Sequence, residues 1–136
     1  MNKKNHKQLI KKLDRLHGEE KFFEIIEIIL EISEKDRDYD IISQLSRAYN
    51  NADHFIDAIE QLLLIKDQGQ NDSLWHFRMG YAYFYLEKYE NALKEFELSY
   101  ELHDKDDEVK SDAKLLIEVS KANISHESIF IDTFLS

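Results

Sequence analysis

Residues 74–102 read LWHFRMGYAYFYLEKYENALKEFELSYEL, and this stretch decides the fold prediction for the whole chain. Its apolar residues recur at intervals of three and four, as expected for two short amphipathic helices joined by a tight turn. Small residues, Gly80, Ala82 and Ala92, stand where the two helices would have to approach closely. The stretch therefore predicts a helical hairpin.

The same pattern occurs once more, 34 residues earlier. This shift superposes similar residues, with Ile41 on Trp75, Leu45 on Met79, Ser46 on Gly80, Ala48 on Ala82, Tyr49 on Tyr83, Phe55 on Tyr89, Ala58 on Ala92 and Leu62 on Phe96. Self-similarity at a period of about 34 residues is typical of helix-turn-helix repeats. The hairpin is therefore predicted to be a repeating unit.

The chain resembles the tetratricopeptide repeat (TPR) family, whose pattern is W-x2-L-G-x2-Y…A-x3-F…P. The best-matching unit supplies Met79, Gly80, Tyr83, Ala92 and Phe96. It departs from the pattern at Trp75, which lies one position early, and at Asp104, which replaces the final proline. The resemblance implies an all-α fold of antiparallel helix-turn-helix repeats, stacked as a short right-handed solenoid of about seven helices.

On this reading the chain is a single TPR-like domain, residues 1–136. It comprises a degenerate first repeat at 3–36, repeats at 39–70 and 73–104, a capping helix at 107–123 and an apolar tail at 124–136. Gly18 is expected to end the first helix in the left-handed conformation. The second helix has a wide apolar arc, which predicts packing on more than one side.

The tail carries five large apolar residues, Ile129, Phe130, Ile131, Phe134 and Leu135. So apolar an end is an association hazard if it is left exposed. It either folds back on the capping helix as a short helical cap or docks into a second subunit, which would make a homodimer.

Composition narrows the function classes. The chain has no proline, three glycines and no cysteine, which favours continuous helices and excludes disulfides. Neither a signal peptide nor a membrane span is predicted, so a cytoplasmic protein without membrane association is expected. The net charge is −10, although residues 1–17 hold six basic and one acidic side chain. An acidic body disfavours nucleic acid and favours a basic partner.

No pattern of residues indicates chemistry. The six histidines form no H-E-x-x-H motif, and no glycine-rich loop is present that could hold a phosphate. Asp36, Asp38 and Asp40 alternate as in a calcium loop, but Ile41 and Arg47 occupy the places that need glycine and glutamate. The aspartates instead indicate a helix start. We expect no enzyme activity, no catalytic residues, no metal and no cofactor.

A second stripe on the first helix of each clear repeat carries the candidate binding residues. These are Ser43, Arg47, Asn50 and Asn51 in one repeat, and Phe77, Arg78, Tyr81, Phe84 and Tyr85 in the next. The TPR resemblance implies that this stripe lines a concave groove where ligands bind. Alternatively, the aromatic residues pack against the capping helix or the tail.

Two functions follow from these features. The first is a non-enzymatic protein–protein interaction module, a scaffold that binds a peptide or protein segment in the groove. The second is a small acidic inhibitor or immunity-type protein that neutralises a basic partner enzyme through its charged surface.

Overall fold

The computed structural model describes the backbone of residues 1–135 and the side chains of residues 1–127. This part of the chain contains no strand, which confirms the all-α prediction. It forms α1 (Lys3–Gly18), α2 (Phe22–Leu30), α3 (Tyr39–Asn51), α4 (Phe55–Leu64), α5 (Lys66–Gly69), α6 (Ser73–Tyr85), α7 (Tyr89–Leu102) and α8 (Glu108–Leu135), with a 3-10 turn, Glu34–Asp36, before α3. The short α5 brings the helices to eight rather than seven.

The helices fall into two compact units, Met1–Gln68 and Gly69–Ser136. Within the first unit, α1 packs on α2 and α3, while α3 also packs on α2 and α4. Within the second unit, α7 packs on both α6 and α8. A buried aliphatic cluster that includes Leu13, Ile25 and Leu45 joins α1, α2 and α3.

The same turn closes three helical hairpins, α1–α2, α3–α4 and α6–α7. A left-handed residue follows the first helix each time, at Glu20, Asp53 and Glu87. The next N–H reaches back five residues, from Lys21 to Leu16 at 2.9 Å, from His54 to Tyr49 at 2.8 Å and from Lys88 to Tyr83 at 2.9 Å. This is the hydrogen-bond pattern of a Schellman helix stop. The backbone thus repeats every 33 or 34 residues, as the sequence predicts.

The expectation that Gly18 supplies the left-handed helix stop is wrong. Gly18 is the last residue of α1, and no glycine in the described chain has a positive φ. The stop is instead at Glu20, one residue beyond the cap Glu19. A Schellman stop places its left-handed residue just past the cap, and this requirement of the backbone overrides the preference for glycine.

Aspartates begin several helices, as the acidic linkers predict. Asp38 Oδ1 accepts a hydrogen bond from the Ile41 N–H at 3.0 Å, and Asp72 Oδ1 accepts one from the Leu74 N–H at 3.0 Å. Such caps satisfy N–H groups that have no partner in the first turn.

Corresponding hairpin positions are buried to the same extent but filled with different volumes. Ile29, Leu62 and Phe96 occupy one position and are 0% exposed. Opposite Phe96 stands Gly80, where a Cβ atom would lie 2.8 Å from the phenylalanine ring. The corresponding partner of Leu62 is Ser46, also fully buried. Between α3–α4 and α6–α7, the larger side chain on the second helix therefore goes with the smaller residue on the first, whereas in α1–α2 both Leu13 and Ile29 are large and buried.

The last helix runs antiparallel to α7. At one end, the Lys110 ammonium lies 4.8 Å from the ring centroid of Tyr100. At the other end, burial, followed by the charges of Glu87 and Glu127, raises the pKa of the Tyr89 phenol. The expected end of this helix at residue 123 is wrong, because α8 continues to Leu135 and the sequence has no glycine or proline after Gly80 to stop it. The contacts expected of the tail side chains lie outside the described residues.

Candidate functional site

The predicted polar stripe on α3 divides into buried and exposed residues. Ser43 and Asn50 are 8% and 4% exposed, whereas Arg47 and Asn51 lie in the open. The Ser43 carbonyl accepts a hydrogen bond from Ser46 Oγ at 2.8 Å, and the Asn50 carbonyl accepts one from the Asp53 N–H in the hairpin turn. Only Arg47 and Asn51 therefore offer their side chains to a partner.

The predicted aromatic stripe on α6 divides at the corresponding positions. The rings of Phe77 and Phe84 lie 5.6 Å and 6.5 Å from that of Phe96 on α7. These two residues correspond to Ser43 and Asn50 under the repeat shift. Phe77 and Phe84 therefore pack within their own hairpin, rather than facing away from it as the sequence pattern suggests. The helix against which they pack is α7, whereas the elements expected from the sequence were the capping helix and the tail.

Tyr81 and Tyr85 form the rest of the aromatic stripe. Their ring centroids are 4.7 Å apart, and Tyr85 also contacts Phe84 edge to face. Tyr85 is 51% exposed, while Tyr81 and the nearby Arg78 are partly exposed. Because residues three and seven apart share a helix face, Arg78, Tyr81 and Tyr85 make one amphipathic stripe. These tyrosines occupy the positions of Arg47 and Asn51.

A largely buried contact between His76 and Glu95 holds α6 on α7. His76 Nδ1 lies 2.6 Å from Glu95 Oε2, and its Nε2 lies 2.9 Å from the Gln70 carbonyl oxygen. Both partners are hydrogen-bond acceptors, so the imidazole ring contacts an acceptor through each of its nitrogens. The two side chains are only 7% and 16% exposed. His76 thus has a structural role that ties the chain before α6 to α7.

A serine, a histidine and an aspartate lie close together where α6 and α8 begin and α7 ends. Ser73 Oγ lies 2.9 Å from His103 Nδ1, and His103 Nε2 lies 2.8 Å from Asp107 Oδ1. Loss of solvation acts to raise the pKa of the Asp107 carboxyl, but the Lys110 N–H and the His103 ring outweigh it and hold the pKa below its ordinary value.

The order of these groups is that of a serine-activating relay. A nucleophile also needs N–H donors for the developing oxyanion. The N–H of Leu74, next to Ser73, is already bonded to Asp72. Asp107 in turn caps α8 through the N–H groups of Val109 and Lys110. We interpret the group as a structural contact that joins the starts of α6 and α8 to the end of α7.

One cluster in the described chain has donors that could hold a metal ion. Donor atoms of His6, Asp38 and Asp40 all lie within 4.8 Å of one another. His6 Nε2 is 2.8 Å from Asp38 Oδ2, an ion-pair distance, and both aspartates are largely exposed. The contact joins α1 to the start of α3.

A feature that the sequence pattern did not reveal is the exposed apolar surface of the first unit. Phe23 and Leu30 on α2 are 63% and 48% exposed, and Ile56, Leu63 and Leu64 on α4 are also exposed. The prediction that α2 packs on more than one side is confirmed, since it lies against both α1 and α3, but Phe23 and Leu30 remain exposed. The sequence held one signal of this surface. The repeat shift places Phe23 on Ile56 and Leu30 on Leu63, so apolar residues occupy the same two positions in both hairpins.

No family model, curated protein or solved structure matches this chain. In the part of the chain that the structure describes, none of the helices combines the length and the apolar character that crossing a membrane requires.

Proposed function

We propose that this chain is a non-enzymatic, TPR-like interaction module that binds a peptide or protein segment in the cytoplasm. Three hairpins with one turn geometry and one period support the proposal. In it, the hairpins stack as a short right-handed solenoid, and the exposed stripe of each first helix contributes to partner binding.

The observation that carries the proposal is the tyrosine pair on α6, in which Tyr85 is exposed and Tyr81 partly exposed. The ring centroids of Tyr81 and Tyr85 lie 4.7 Å apart with the ring planes tilted by 50°, and Arg78 lies on the same helix face. Tyrosine and arginine are enriched among residues that dominate binding energy, because each combines a large apolar area with hydrogen-bonding groups. On α3, exposed Arg47 and Asn51 would add donors for a peptide carboxylate or backbone.

Affinity capture with paired variants tests this site. The double variant Tyr81→Ala/Tyr85→Ala should lose the partners that the wild type retains, while its melting temperature changes little. Leu115→Ala is the matched control, since Leu115 is 61% exposed on α8 and outside the stripe. An unchanged partner list for the tyrosine variant would contradict the site.

The alternative, an acidic inhibitor or immunity-type protein, is favoured by the outer face of α7. Glu90, Glu97 and Glu101 line a shallow depression there, together with Lys94, Leu93 and Leu98. Such a surface attracts a basic protein, and the attraction weakens as salt screens the charges. Capture of a single basic enzyme that is lost between 50 mM and 500 mM salt, roughly a threefold change in screening length, would favour this function. Retention at high salt with dependence on Tyr81 would favour the interaction module.

A further inference from the structure

Two repeat positions on the second helix of each hairpin differ between the hairpins. The first is occupied by Phe23, Ile56 and Glu90, and the second by Leu30, Leu63 and Glu97. The apolar residues are about as exposed as one another, at 63% and 62% for Phe23 and Ile56, and at 48% and 50% for Leu30 and Leu63. Both glutamates are exposed too. The fold therefore accepts a charge at these positions, and packing does not explain the large apolar residues on α2 and α4.

These residues form what we call the apolar ridge: Phe23, Leu30, Ile56, Leu63 and Leu64, all in the first unit. The opposite faces of the same helices are buried, at Ile25 and Ile29 on α2 and at Ala58 and Leu62 on α4. The ring of Phe23 lies 6.0 Å from that of His54, edge to face. Since His54 is the residue that precedes α4, this contact brings the starts of the two helices together.

The charges within the two helices that carry the apolar ridge are all negative, although the Arg37 guanidinium donates to the Leu30 carbonyl at the end of α2. Within α2 and α4 the charged residues are Glu24, Glu27, Asp57 and Glu60, and neither helix contains lysine or arginine. An apolar strip with acidic edges complements a helix that has an apolar stripe and basic flanks. Side chains seven residues apart on a helix are separated by about 10.5 Å. Phe23 and Leu30 on α2 have this spacing, as do Ile56 and Leu63 on α4, so each pair matches two turns of such a partner helix.

We propose that the apolar ridge docks a cationic amphipathic helix of another protein. A second copy of this chain, ridge against ridge, would bring like-charged edges together, which opposes association. The acidic edges equally oppose an anionic lipid surface. The ridge is a second binding surface, because it shares no residue with the tyrosine stripe on α6 and lies in the other unit.

The probe is a synthetic amphipathic helix of about four turns, with leucine on one face and lysine on the other. Fluorescence anisotropy measures its binding to the full chain. A peptide with glutamate in place of lysine and a leucine–lysine peptide of scrambled order are the comparison probes. We expect the cationic amphipathic peptide to bind at least tenfold more tightly than either.

The double variant Ile56→Glu/Leu63→Glu copies the residues that α7 carries at the same positions, so it is expected to fold, as circular dichroism can verify. Its affinity for the cationic peptide should fall at least tenfold. Leu115→Glu, the same kind of change at a comparably exposed residue of α8, should leave the affinity unchanged. Glu24→Lys/Glu60→Lys should weaken binding by reversing the charge of the edges.

Equal binding of the scrambled peptide, or unaltered affinity of Ile56→Glu/Leu63→Glu, would overturn the proposal. So would a wild-type dimer that this variant converts to monomer in analytical ultracentrifugation, since the ridge would then serve a second copy. Tyr81→Ala/Tyr85→Ala should bind the cationic peptide normally. The apolar ridge and the tyrosine stripe can therefore fail independently of each other.

Discussion

The hairpins α3–α4 and α6–α7 have the same backbone turn, but side chains of different size fill the space between their helices. In the first, Ser46 on α3 corresponds to Gly80, and Leu62 on α4 corresponds to Phe96. Polar Ser43 and Asn50 are buried in α3, where α6 has Phe77 and Phe84 around the ring of Phe96. The first hairpin exposes apolar residues on its second helix, and the second hairpin exposes glutamates there.

This difference teaches which features the repeat requires. Both hairpins need a left-handed residue after the first helix and a close helix approach, and both have them. The volumes at the crossing can be exchanged as long as one side shrinks when the other grows, because protein interiors are close-packed. The surface residues are free of that requirement, so they can diverge toward different partners.

The largest effect is expected where the two interiors differ most. Phe96→Ala should lower the free energy of unfolding by about 3–5 kcal/mol, because it leaves a cavity beside Gly80. Phe96→Leu and Gly80→Ser, introduced singly, should each destabilise. Together they recreate the Leu62–Ser46 pair of the first hairpin, so the double variant should be more stable than the two single effects predict.

A double-mutant cycle by urea denaturation measures this coupling. Strict additivity of Gly80→Ser and Phe96→Leu would contradict the idea that the two hairpins exchange volume across one crossing.

The next effect concerns the His76–Glu95 contact, which α6–α7 has and α3–α4 lacks. The positions of His76 and Glu95 hold Ile42 and Gln61 in the first hairpin. Glu95→Ala should cost about 2 kcal/mol, less than a fully buried pair would, because it leaves the largely buried His76 without its carboxylate. The double variant His76→Ile/Glu95→Gln should recover part of that loss in thermal unfolding. A double variant less stable than Glu95→Ala would show that α6 and α7 cannot accommodate the isoleucine and glutamine that α3 and α4 carry at these positions.

A smaller effect should be common to all hairpins. Glu20, Asp53 and Glu87 adopt the left-handed conformation, which costs a residue with a side chain about 1 kcal/mol. Replacement of any one by glycine should therefore stabilise the protein by about 0.5 kcal/mol after the entropy of glycine in the unfolded chain is subtracted. Chemical denaturation of the three variants provides the measurement. Destabilisation at one position alone would reveal a side-chain role that the other two turns lack.

The smallest effect should appear at acidic pH in the second unit. Folding lowers the pKa of Asp107, so its charged form stabilises the fold above the unfolded pKa of about 3.9, and this contribution is lost as the pH falls through the lower folded value. Asp107→Asn should therefore be less stable than the wild type at pH 7, and the gap should narrow below about pH 4. Melting temperatures measured across this range test the sign. A gap that widens toward low pH would contradict it.

Much of the fold could be predicted because it rests on local patterns. The starts of α3 and α6 followed from aspartates that cap N–H groups, and the hairpin positions followed from small residues in a regular period. The candidate site was harder. Phe77 and Tyr81 are four residues apart on one helix and look alike in sequence, but only the position of Phe96 shows that the first packs against α7.

By itself, the sequence determined the helical class, the repeat period, the caps and the acidic charge, since each depends on residues close together in the chain. Only the tertiary structure decided which apolar residues are covered. In the structure, Phe77 and Phe84 pack against Phe96 within their own hairpin, and Tyr85 is exposed. The apolar ridge on α2 and α4 is exposed as well. Periodicity reports which residues share a helix face, whereas exposure depends on which other helix lies against that face.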